Sequence, residues 1–120
     1  MFGWFKKKPR RLEPESKWVV AIDGDLISIR DEAGLIKTVA KGDLSGVAIE
    51  TNDSGPWGAD VWWLLLDSSD LLACAFPQGA TGEDSVIDYV SALPSFDHGE
   101  MIKAMTSTDN AVFAVWRKQT

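Results

Sequence analysis

The sequence predicts an α+β domain: a strongly curved, barrel-like antiparallel sheet of six or seven strands, packed by a C-terminal helix and a short second helix and closed by a last strand. Three observations point there. Short β-rich runs separated by turn residues fill the chain from Trp18 to Phe76. A single stretch with helical spacing follows, from Thr81 to Leu93. Within the β-rich part stands Val61 to Leu66, six consecutive apolar residues, a run that suits a strand covered on both faces better than one with a wet side.

In chain order, Trp18 to Ile22 is the first strand, and Asp23-Gly24 is a two-residue hairpin signal leading into Asp25 to Arg30. There Ile27 and Ile29 face one way and Leu26, Ser28 and Arg30 the other. Asp31 to Gly34 makes a turn, Leu35 to Ala40 a third strand, Lys41 to Gly46 a corner, and Val47 to Thr51 a fourth strand in a meander. The loop Asn52 to Trp57 is dense in turn residues and leads into the fifth strand, Asp60 to Asp67. Val61, Trp63 and Leu65 lie on one of its faces and Trp62, Leu64 and Leu66 on the other. Leu71 to Phe76 returns as the sixth. Thr81 is placed to cap a helix with Glu83 and Asp84 in its first turn, where carboxylates complement the helix dipole. Val86, Tyr89, Val90 and Leu93 form its apolar stripe, and Pro94 ends it. Asp97 caps a shorter helix with Met101, Ile102 and Met105 as apolar members, and Ala111 to Trp116 closes the sheet.

At 120 residues, with 45% hydrophobic and 25% charged content, the chain is expected to be one domain, residues 17–120, behind a basic aromatic leader, residues 1–16. Nothing in it approaches the ~20 apolar residues of a membrane-spanning helix. The lone Cys74 forms no intrachain disulfide, and a cytoplasmic setting is expected. The net charge of −6 is unevenly spread: residues 1–17 carry six Lys or Arg and two Glu, and the remainder carries six Lys or Arg and sixteen Asp or Glu, so +4 stands against −10. An acidic body repels phosphate backbones, so no nucleic-acid partner is expected.

Chemistry is sparse. A Cys/His nucleophile pair would require Cys74 and His98 to meet, but a cysteine in the middle of a central strand reads as core, and His98 as packed or capping. One Cys and one His build no structural zinc site, and Asp53, Asp60, Asp67 and Asp70 lack the spacing of a calcium loop. Gly79-Ala80-Thr81-Gly82 precedes a helix but has no P-loop lysine. No catalytic residue, metal or cofactor is therefore assigned. The six tryptophans are the remaining signal. Trp18, Trp62, Trp63 and Trp116 fall on strands and suit a core, whereas Trp57, between Pro56 and Gly58, either plugs the end of the sheet or stands out as an interface anchor.

The segments Gly55-Pro56-Trp57-Gly58-Ala59-Asp60-Val61-Trp62-Trp63, Leu93-Pro94-Ser95-Phe96-Asp97 and Ala104-Met105-Thr106-Ser107-Thr108-Asp109-Asn110 resemble a group of small bacterial proteins of unknown function, over about Asp43 to Trp116. Ser95 stands where the resemblance leads one to expect Gly. The resemblance implies a bacterial cytoplasmic setting and carries over no activity, cofactor or site residue.

The expected function is a non-enzymatic interaction module, binding a protein partner or a second copy of itself, with an acidic inhibitor or immunity-type protein as one form. Its candidate contact residues are Trp57, Asp53, Asp60, Trp62 and Trp63. The alternative is peripheral recruitment to an anionic membrane surface, at the inner membrane face. Phe2, Trp4 and Phe5 would sit at the headgroup boundary and Lys6, Lys7, Lys8, Arg10 and Arg11 would meet the lipid charge. A small carboxylate-dependent enzyme is the third reading.

Overall fold

The computed structural model describes residues 17–55, 58–107 and 110–118, with the backbone alone at 53–55 and 58–60. The order is β1 (Val19–Asp23), β2 (Leu26–Arg30), β3 (Ile36–Ala40), β4 (Gly46–Gly55), β5 (Gly58–Leu66), β6 (Leu72–Pro77), α1 (Glu83–Ser91), α2 (His98–Thr106) and β7 (Ala111–Arg117). The α+β class and the antiparallel pairing hold, but the single curved sheet does not. The strands form two sheets, one of order β1-β2-β3 and one of order β6-β5-β4-β7, and neither closes into a barrel.

The division has a simple cause. A strand has two edges, and both edges of β4 are taken: Ile49 pairs with Trp63 of β5 and with Phe113 of β7. The last strand thus occupies the place a meander would give to β3. Instead, a 3-10 turn over Lys41–Asp43 redirects the chain, and β2 and β3 lie against β6 at the edge of the larger sheet.

The smaller sheet is stitched on by backbone. Val20 N–H donates to the Thr81 carbonyl at 2.8 Å, and Thr81 N–H donates to the Trp18 carbonyl at 2.8 Å. Thr81 is therefore a bridge residue and not the cap of α1. The cap is Gly82, in the left-handed region at φ 83, with no side-chain cap bond. Glu83, within the first turn, accepts instead from Gly79 N–H at 3.0 Å. The expected cap of α2 is present: Asp97 Oδ1 accepts from Glu100 N–H at 2.9 Å. Ser95 has φ 70, a conformation that glycine takes at no steric cost, which accounts for the glycine expected there.

One core joins the two sheets and both helices. Val20, Ile27, Ile29 and Val39 from the smaller sheet meet Val47, Ile49, Trp63, Leu65 and Phe76 from the larger, under Val86 and Val90 of α1 and Ala104 of α2. The α1 stripe is as expected, with Tyr89 and Leu93 half-buried at its margins. The α2 stripe holds in part: Met101 is half-buried against the core and Ala104 is the fully buried member, while Ile102 and Met105 are exposed. His98 is also exposed, with its ring edge-to-face on Phe96 at 4.9 Å.

Candidate interaction surface

The period-two geometry of β5 separates its apolar run into two populations. Trp63 and Leu65 face the helices and are 1% and 0% exposed. Trp62, Leu64 and Leu66 face the other way and remain half-buried. Register identifies their neighbours on that outer face: Glu50, Ala48 and Gly46 across β4, then Val112 and Ala114 on β7, with Ala75 and Leu72 on β6. Val112 is 61% exposed and Leu72 56%. Neither helix reaches this side, because α1 packs on β1 and α2 on β7 and β4 from the core side. Thr51, on the core face of β4, lies 3.4 Å from the Ser107 hydroxyl just past α2.

The face is apolar in the middle and charged at its ends. Leu66 lies over Gly46, where an added Cβ would come within 3.2 Å of its Cδ1. Beyond them, Arg117 Nη1 pairs with Asp70 Oδ1 at 3.4 Å. At the opposite end Glu50 is exposed, and an open cleft of about 330 Å³ lies beside it, bounded by Glu50, Asn52, Asn110 and Val112. Trp18 closes this end, its ring edge-on to Trp62 at 5.4 Å and 86°. Lys17, the first described residue, stands one position before this contact.

The sequence-derived candidates part company here. Trp62 belongs to the outer face. Trp63 does not: its ring stacks on Phe76 at 6.4 Å and 6°, inside the core, and its Nε1 has no hydrogen-bond partner among the described residues. The backbones of Asp53 and Asp60 lie on β4 and β5 at the end nearest Glu50, Asp60 paired in register with Asn52. Trp57, Phe2, Trp4, Phe5, Lys6, Lys7, Lys8, Arg10 and Arg11 lie outside the described residues. Alternation within β5 already marked Leu64 and Leu66. Glu50 and Ala48 come alongside through the register of β4 on β5, and Val112 through the pairing of β4 with β7, and neither register is written in the local sequence.

The groups considered for chemistry are tied into structure. Asp67 Oδ1 accepts from Ser69 N–H at 2.8 Å and Leu71 N–H at 3.2 Å, holding the β5 to β6 turn, and Ser45 Oγ donates to Asp70 Oδ1 at 2.9 Å. Cys74 is 2% exposed beside a cavity of about 130 Å³ between the sheets, and burial pushes its thiol up to about 11 although Lys37 pulls it down. Among the described residues no group of three or more His, Cys, Asp or Glu stands together as a metal site, and no helix is long and apolar enough to cross a membrane. The chain matches no protein-family model, no curated protein and no solved structure, so the resemblance to a bacterial group brings no family with it.

Proposed function

We propose that this protein is a non-enzymatic interaction module whose contact surface is the outer face of the four-stranded sheet. One observation carries the reading: the central strands have two apolar faces, and both helices lie on the same one. A half-exposed patch of Trp62, Leu64, Leu66 and Val112, with charge confined to its ends, has the make-up of a surface that meets another polypeptide. Glu50, together with the −10 carried by residues 18–120, favours a partner that brings positive charge alongside its apolar anchors.

A photo-crosslinking residue at Val112 in the full chain, expressed in the cells that make it naturally, tests this. The control is the same residue at Ile36, which is 64% exposed on the smaller sheet. The reading predicts protein adducts from position 112, lost on Leu64→Glu, and few from position 36. Equal adducts from both positions, or adducts indifferent to Leu64→Glu, would contradict it.

A further inference from the structure

β6 is an edge strand of the larger sheet, and its pairing is interrupted. Leu65 pairs with Cys74 and Leu66 with Leu72, so Ala73 is an extra residue with no partner across the ladder, a bulge of the kind that bends an edge strand. Facing this stretch, Ile29 of β2 and Lys37 of β3 are paired in register and so leave the smaller sheet on the same side. Three small side chains, Ala73, Cys74 and Ala75, meet that side, and the cavity of about 130 Å³ is the space they do not fill. It reaches the surface, because Leu35, just before β3, and Leu72 of β6 both line it and are 64% and 56% exposed.

Apart from Asp31 and Lys37, every residue lining the cavity is apolar. Such a lining gives water few hydrogen-bond partners and favours a hydrocarbon group. The two charges are not equivalent. Asp31 is committed to its own turn, where Oδ1 accepts from Ala33 N–H at 2.9 Å and from Leu35 N–H at 3.0 Å. Lys37 is exposed and forms no salt bridge among the described residues. Its charge is felt inside the cavity: burial raises the Cys74 thiol, and Lys37 pulls it back down. An apolar cavity of about 150 Å³ takes up benzene, so on the same scale this one suits about five carbons. We infer that the cavity binds a small aliphatic carboxylate, its tail of about five carbons held between the sheets and its carboxylate at Lys37. This site goes beyond the interaction reading and needs no polypeptide partner.

Titration of the isotope-labelled full chain with isocaproate, followed through its amide shifts, tests the inference. Saturable shifts are expected at Ile29, Ala73 and Ala75, with a Kd on the order of 1 mM for so small a ligand. Acetate, which lacks the tail, should give no saturable shift there. Isocaproamide, which lacks the charge, should bind about fivefold more weakly, the worth of one partly exposed ion pair. Lys37→Gln, at an exposed position, should weaken isocaproate by the same factor and leave isocaproamide unchanged. Ala75→Leu, which fills the cavity, should abolish the binding of both. No saturable shift with isocaproate, equal binding of acid and amide, or isocaproate binding unchanged in Lys37→Gln overturns the inference. Shifts confined to Leu64 and Val112 also overturn it, by placing the ligand on the outer face. Adducts from Val112 have no part in this readout, so the inference and the interaction reading fail separately.

Discussion

At Gly82 an added Cβ would stand 2.2 Å from the Val20 carbonyl oxygen, and the residue already has φ 83. Close approach and a left-handed backbone thus coincide where the smaller sheet is tied to α1. Gly82→Ala is expected to cost roughly 2 kcal/mol or more, read from urea unfolding; a cost near zero would mean the bridge is not held as described. Nothing in Gly79-Ala80-Thr81-Gly82 separated a Thr cap from a Gly cap, because the deciding contact comes from β1, some sixty residues earlier. Asp97 was legible because a cap depends only on its next three residues. Asp97→Ala should lower stability by about 1 kcal/mol in the same assay, and Asp97→Asn by much less. At Cys74, burial raises the thiol from 9.0 to about 11, so the folded state keeps a proton that the unfolded chain releases. The contribution is complete below about pH 9 and lost as pH rises through about 11, a fall of roughly 2 to 3 kcal/mol. The unfolding free energy of Cys74→Ala should lack that fall; an unchanged alkaline slope would count against it.

Among the elements, strands and helices were readable and their neighbours were not. β1 to β3 follow from the Asp23-Gly24 turn, where Gly24 has φ 60, and from the Asp31 turn, where Oδ1 accepts from Ala33 N–H at 2.9 Å. Both are decided within a few residues. The pairing of β4 with β7 joins residues some sixty positions apart, and it sets the sheet count. A register shift between Val47 and Ala48 accompanies it: Val115 enters the core, and Trp116 turns so that its Nε1 donates to the Pro94 carbonyl at 2.9 Å. A Trp and a Pro twenty-two residues apart give no local sign of that contact. In α2 the face against β7 and β4 is Met101 with Ala104, three residues on, and the larger Ile102 and Met105 fall outside it.

In the molecule as a whole, cover is asymmetric. The larger sheet places its helices, its smaller partner sheet and most of its buried residues on one side, leaving the other to Trp62, Leu64, Leu66 and Val112. The unbroken run in β5 announced two apolar faces, and in that sense half of the surface was legible. Which face would be covered was not, since that depends on where α1, α2 and β7 come to rest. The most direct test compares two neighbours in one strand, Leu64→Lys and Leu65→Lys, by urea unfolding of the full chain. A lysine at Leu64 can lift its ammonium into water from a half-buried site and should cost about 1 kcal/mol. At Leu65, 0% exposed, the same charge has no route to solvent and should cost about 4 kcal/mol or prevent folding. That difference is what the account predicts; two equally severe losses would place Leu64 in the core and contradict it.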